Sequence, residues 1–297
     1  MLVPKAWRLG AMRQSSRRWT CAVAIWIALV APLLAPPSVA AEPAMRIVSI
    51  NACADQLLLA LGERARIAAV TRYVDEPSMS FYRERAAGIR RISGAAEEVL
   101  KLKPDLVLAG RFTRRETRAR LAELGIPVAL LRPARSLDDV RALMREVGGL
   151  VGRPDTAEAR IAELDAALAG ARRAAAGLRV LQLQRRGFVA GQGTLFDAVL
   201  AHLGGENATA ALGQKSVRRL PTEALLKLAP DAVVVFETDM TAADQGAALL
   251  MHPALRRLLP PDRLLVLEMN TIVCGGPQNI AAIRALERAL GGIEPRS

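Results

Sequence analysis

The segment AEEVLKLKPDLVLA, which begins at Ala96, recurs in related form later in the chain, and this duplication restricts the fold more than any other feature. Glu97, Leu100, Leu102, Pro104 and Asp105 are matched by Glu223, Leu226, Leu228, Pro230 and Asp231, every one displaced by the same 126 residues. Each copy reads as a short amphipathic helix, stopped by Pro-Asp, that feeds a short apolar strand (106–109 and 232–236). One repetition at so long a period indicates two lobes of related build; a solenoid needs several short periods.

The chain has 297 residues, 52% of them hydrophobic, enough for one large or two medium packed domains. Its start is a different kind of segment. Lys5, Arg8, Arg13, Arg17 and Arg18 form a basic stretch without an acid, followed by the apolar run CAVAIWIALVAPLLA (21–35) and small residues up to Ala40-Ala41. That pattern is a secretory signal peptide over 1–41, cleaved near Ala40 or Ala41, and the apolar run is short for a membrane span. Arg17-Arg18 continues poorly as a twin-Arg signal, so Sec and Tat export both stay open. Cys21 opens the apolar run instead of ending it and so makes no lipoprotein site. The expected location is the periplasm. Removing the leader lowers the net charge from +12 to near +7, a balance that favours anionic partners. No basic run interleaved with aromatics points to nucleic acid.

After the leader, strand, helix and strand alternate. Strands are expected at 46–50, 67–70 and 128–131, with helices from the 51–53 loop to Leu61, at 77–85 and at 113–124. Such alternation predicts a parallel sheet with crossover helices. From Leu137 to Ala176 nearly everything is helix-forming, with breaks at Gly148-Gly149 and at 152–154. Residues 155–175 would make a rod of about 30 Å at 1.5 Å per residue. Lying between the repeat copies, it reads as an interlobe connector; an ordinary crossover helix of a single sheet is the alternative. A second βα series follows: strand 179–184, loop 191–194, helix 195–203, the second repeat copy, strand 263–267, loop 269–276 and helix 277–290. The predicted class is α/β, with two parallel-sheet βα lobes joined by one long rigid α-helix. The expected organisation is leader 1–41, N-terminal lobe 42–153, backbone helix 154–176 and C-terminal lobe 177–297.

RIVSINACADQLLLALG, the paired segments AEEVLKLKPDLVLAG and PTEALLKLAPDAVVV, LAELGIPV and GGPQNIAAIRAL appear in that order. With the long helix between the pairs, the chain resembles the periplasmic substrate-binding proteins of ABC importers for ferric siderophores, haem and cobalamin. The resemblance covers essentially the whole mature chain. It implies a receptor, not an enzyme, with a ligand cleft between the lobes and a Glu on each lobe that docks onto Arg residues of the inner-membrane permease. On that pattern Glu97 and Glu223 are the docking pair; favouring their own helix N-termini is the plainer role for both. The expected partners are a small-molecule metal chelate and the permease, and the receptor itself is expected to be a monomer without a cofactor.

Ligands of α/β folds bind at the carboxyl ends of the strands. Loops there supply Asn51, Cys53, Asp55, Arg72, Tyr73, Asp75, Arg111, Phe112, Arg185, Arg186, Phe188, Arg218, Asn270 and Cys274. The resemblance places Tyr73, Phe188 and Cys274 facing the cleft. The arginines as a set suit an anionic chelate, since guanidinium matches carboxylate and phosphate geometry. All three Trp residues (Trp7, Trp19, Trp26) are in the leader, so stacking on a corrin ring would fall to Tyr73, Phe112 and Phe188. That moves the expectation from cobalamin toward a ferric siderophore or another charged chelate, without excluding cobalamin. Cys53 and Cys274 could form a disulfide between the lobes, ligate a metal as thiolates, or stay free and unrelated. A bare-metal receptor is the nearest rival, but His202 and His252 lack metal-ligand spacing and read as satisfied surface histidines. An exported α/β enzyme is the rival from another class. Neither a nucleophile elbow nor a P-loop nor a zinc-hydrolase His pair supports it, and Gly191-Gln192-Gly193 lacks the third Gly of a dinucleotide loop.

Overall fold

Two parallel sheets, one per half of the chain, make up the frame of the computed structural model, which describes residues 45–241 and 260–296. The expected leader, with its three Trp residues, and His252 lie outside the described residues. The first sheet contains β1 (Ile47–Ser49), β2 (Ile67–Thr71), β3 (Arg90–Ile92), β4 (Leu106–Gly110) and β5 (Val128–Leu131), in the order β3-β2-β1-β4-β5. Its helices are α1 (Ala52–Leu61), α2 (Ala96–Leu100) and α3 (Arg115–Glu123). Between the sheets run α4 (Leu137–Leu150) and α5 (Pro154–Gly170). In the second half, β6 (Arg179–Gln182), β8 (Glu206–Asn207), β10 (Ala232–Phe236) and β11 (Leu264–Leu267) form a sheet in the order β11-β10-β6-β8. A separate antiparallel pair joins β7 (Phe188–Ala190) to β9 (Val217–Arg219). The remaining described α-helices are α6 (Leu195–His202), α7 (Thr222–Leu228), α8 (Glu237–Thr241) and α9 (Asn279–Leu290).

The two strands that follow the repeats explain why both read as unbroken apolar runs. Side chains alternate faces along a strand. Leu106 and Leu108 of β4 join the same core as Ala232, Val234 and Phe236 of β10. Val107 and Ala109 point the other way, under Val99, Leu102 and Leu121, while Val233 and Val235 meet Leu225 and Leu228. Each sheet is therefore covered on both faces, as parallel sheets require. The shared core runs through α4, α5, α6 and α9 without interruption from one sheet to the other. The outer faces carry α2 and α7, which begin with Glu97 and Glu223 in their first turns.

Three expectations are corrected. The Gly148-Gly149 pair does not interrupt the helix; α4 runs through it, because Gly148 lets α4 press on α5. A Cβ there would sit 2.4 Å from the Ala157 Cβ. The rod is shorter than expected, 17 residues ending at Gly170, or about 25 Å at 1.5 Å per residue. Ala-rich 171–176 favours helix locally, but tertiary bonds take its backbone: Arg172 N–H donates to Glu287 Oε1 (3.1 Å) and Ala175 N–H to the Leu203 carbonyl (2.9 Å). Residues 77–85 give turns that reach only a 3₁₀ turn at Arg83–Ala86.

Candidate ligand site between the lobes

In the first sheet the chain goes from β1 outward to β3, then returns to the other side of β1 as β4, so the strand order reverses between β1 and β4. The second sheet reverses in the same way between β6 and β10. Crevices open at the carboxyl ends of strands at such points. Here the loops leaving the two points meet across one cavity.

On the first-lobe side, Asn51 follows β1 and caps α1, its Oδ1 accepting the N–H groups of Cys53 (3.0 Å) and Ala54 (3.2 Å). Gly110 ends β4 against this cap; a Cβ there would lie 2.5 Å from the Asn51 amide, so the close approach demands glycine. The next two residues, Arg111 and Phe112, are thereby carried into the open, and Phe112 is 85% exposed. With Arg135, beyond β5, they form one wall of a cavity of about 460 Å³. Gln182 at the end of β6, Gln184 just after it, Phe236 at the end of β10, and Met269 and Ile272 after β11 form the other wall. That volume lies within the usual range of small-molecule sites. Arg111 and Arg135 are the charged groups among the described lining residues, which include no carboxylate. The cavity thus combines aromatic and aliphatic walls with a positive field, chemistry suited to an apolar body bearing negative groups.

Phe112 also lines a second cavity of about 610 Å³ in the first lobe, together with Tyr73, Glu97 and Glu116. A third, of about 420 Å³, is lined by Pro77, Arg83, Glu84, Glu237, Glu268 and Asn270, which come from both lobes. Asn270 Nδ2 donates to the Pro77 carbonyl at 2.8 Å, crossing between them. The cysteines cross too: Cys53 and Cys274 form a disulfide with a Cα–Cα distance of 5.3 Å and 221 residues between them in sequence. Of the three states open from sequence, the structure contains the disulfide.

The other expected site residues are elsewhere. Asp55 is fully buried and turned into the first lobe, where its carboxylate accepts from the Thr71 N–H (3.1 Å) and hydroxyl. Burial pushes its carboxyl up to about 7, against the hydrogen bonds of Ser49 and Thr71 that lower it. Arg72 is exposed beside Tyr73, and Phe188 and Arg218 lie on the β7–β9 pair; none of these three lines the cavities described. Asp75 is paired with Arg91 (Oδ1 to Nη2, 2.7 Å), whose hydrogen bond holds its carboxyl below the ordinary range. Sequence reasoning missed Arg135, Gln182, Gln184, Phe236 and Met269. Each follows or ends a strand at its carboxyl edge, as Arg111 does, so the same rule would have selected them had it been applied at the end of every strand. His202 Nε2 is 2.9 Å from the Leu168 carbonyl, the satisfied surface histidine expected. Among the described residues no group of three or more His, Cys, Asp or Glu is placed to hold a bare ion, and no helix is long and apolar enough to cross a membrane.

Known proteins share this architecture. The periplasmic haem-binding protein RhuT from Roseiflexus sp. RS-1, in apo form, superposes with a TM-score of 0.71 at 28% identity, over 84% of this chain and 98% of that one. A cobalamin-binding protein of Halobacterium salinarum (strain R1) is 30% identical over 215 residues, 70% of this chain; the match spans 58% of the relative's length. A vitamin B12-binding protein of Pectobacterium carotovorum is 27% identical over 209 residues, covering 65% of this chain and 75% of the relative. The family profile described as periplasmic binding protein matches residues 47–259, and the chain belongs to that family.

Proposed function

We propose that the protein is the solute receptor of an ABC importer, working in the periplasm as a monomer, that traps an anionic metal chelate between its lobes and delivers it to an inner-membrane permease. The observation that carries this reading is the cavity of about 460 Å³ at both strand-order reversals, where Arg111 and Arg135 stand among apolar walls without a carboxylate in the described lining. The names of the relatives, for haem, cobalamin and vitamin B12, support a metal-centred chelate as the class. The guanidinium pair favours a ferric siderophore with peripheral negative groups over cobalamin, whose corrin would find no Trp to stack on in the described residues.

Glu97 and Glu223 are exposed on the outer faces, one per lobe, at matched places in the repeat. We assign them the permease contact, since two rim carboxylates orient and speed docking onto basic partners. The segment 154–176, mostly α5, serves as the stiff backbone between lobes spanning 42–153 and 177–297. Binding and delivery without turnover account for the cleft, so we assign no catalytic role.

Native mass spectrometry of protein purified from its own periplasm tests the reading. A co-purifying metal chelate is expected, released unchanged on unfolding. Chemical conversion of the released compound by fresh protein would replace a receptor with an enzyme.

A further inference from the structure

By chain order the loop 268–276 belongs to the second lobe, and its base is fixed there. Met269 N–H donates to Glu237 Oε2 (2.9 Å) at the end of β10. Buried Asn279 donates to the carbonyls of Thr271 (2.8 Å) and Cys274 (2.9 Å) and accepts from Gly276 N–H (2.8 Å). Yet the same loop is fastened to the first lobe at three points, two in loops and one in the first turn of α1. Asn270 reaches the Pro77 carbonyl, Cys274 is bonded to Cys53, and Gly275 packs on Ala134 so closely that a Cβ would lie 2.5 Å from that methyl. Between these fastenings, Met269, Ile272 and Val273 form part of the ligand cavity wall.

One stretch of second-lobe chain is therefore both cavity wall and bridge. Its three crossings are unequal: a hydrogen bond and a van der Waals contact break within ordinary fluctuations, whereas the sulfur–sulfur bond does not. We propose that the Cys53–Cys274 disulfide is a redox latch on the ligand cleft. Oxidised, it holds this wall on the first lobe and limits how far the lobes part; reduced, it frees the wall and the cleft gapes. The reductant is a dithiol. Its thiolate attacks the Cys53 sulfur, because Cys53 is half-buried while Cys274 is only 2% exposed. The S–S bond breaks, a mixed disulfide forms at Cys53, and the Cys274 thiolate takes a proton. The second thiol then closes the dithiol to a disulfide and leaves Cys53 as a thiol. Two electrons and two protons pass to the protein, and the dithiol is oxidised by the same amount.

Hydrogen exchange and small-angle X-ray scattering on the mature protein test the latch without any ligand. Three samples are compared: oxidised protein, the same protein in dithiothreitol, and a Cys53→Ser/Cys274→Ser double variant. Expected for the last two is roughly tenfold faster exchange of the amides in 269–276, with a larger radius of gyration, while amides of β1, β4, β6 and β10 keep their protection. A merely structural cross-link would lower the melting temperature and leave native-state loop exchange and radius unchanged; that result overturns the latch. Loss of native circular dichroism on reduction overturns it as well, because the bond would then be a staple of the whole fold. If the double variant does not fold, the reduced wild-type protein alone decides.

Discussion

Asp105 accepts the backbone N–H of Arg46 at 2.6 Å, and 126 residues further on Asp231 accepts the backbone N–H of Arg179 at 2.7 Å. The rest of the arrangement is repeated too. Each Asp returns its own N–H to the carbonyl of the same Arg, at 2.9 and 2.8 Å. Each Arg side chain reaches the carbonyl of the leucine two residues before the repeat's proline, Leu102 or Leu228, at 3.0 and 2.6 Å. Lys103 and Ala229 hold equivalent left-handed conformations, with φ of 47° and 39°. A left-handed non-glycine residue costs about 1–2 kcal/mol, which this lock offsets by tying the helix-to-strand turn to the first strand of its sheet.

The two aspartates differ in burial, and the lock predicts an order of stability losses. Asp231 is buried and also accepts the Arg296 N–H at 2.6 Å, whereas Asp105 is exposed. Asp231→Ala is expected to cost about 2–3 kcal/mol and Asp105→Ala about 1 kcal/mol. Urea unfolding of the two variants checks the ranking; equal losses would contradict it.

Asp55 predicts a pH dependence. Its carboxyl titrates at about 7 in the folded protein against 3.8 unfolded, so between these values the native state holds a proton that the unfolded chain has lost. Stability from this group is full below about pH 4 and declines as pH rises through 7, with a slope of up to ~1.4 kcal/mol per pH unit. Asp55→Asn removes that slope. Thermal melts of wild type and variant from pH 4.5 to 8 measure it, and parallel curves would reject the assignment.

The repeat and the apolar runs after it were legible because they obey local rules: proline stops a helix, and a doubly covered strand is apolar on both faces. The limits of β5, at 128–131, could be read from the Gly125-Ile126-Pro127 turn before it. What stayed hidden depends on partners distant in sequence. Arg90 and Arg91 disguise β3, whose place is set by pairing with β2 and by the Arg91–Asp75 bridge. The β7–β9 pair brings together residues about thirty apart, with three consecutive exposed positions in β9 that give no apolar signal. The site was half legible. Arg111 and Phe112 follow an obvious strand, but the inward turn of Asp55 is decided by Thr71, which sequence spacing does not reveal.

If the guanidinium pair recognises charge, Arg111→Gln and Arg135→Gln each weaken binding of a ferric tris-catecholate by roughly tenfold, about 1.4 kcal/mol. Neutral cyanocobalamin, if it binds, should be indifferent to both changes. Calorimetry at two salt concentrations separates the cases, because the charge-dependent part shrinks with ionic strength. Unchanged catecholate affinity in both variants would remove these arginines from the site.

For the outer carboxylates, Glu97→Arg with Glu223→Arg should abolish uptake in cells and change ligand affinity by less than about twofold, as exposed substitutions shift energies by only ~0.5 kcal/mol. Uptake of radiolabelled iron chelate, beside a binding titration of the purified double variant, measures both. Uptake at the wild-type rate would free these residues from any transport role.

Because one apolar core passes from the first sheet through α4 and α5 into the second, neither half owns its own interior. Heating should therefore melt both together, in a single calorimetric peak whose measured and van't Hoff enthalpies agree. Either half made alone would present bare hydrocarbon where its neighbour belongs, and should aggregate instead of folding.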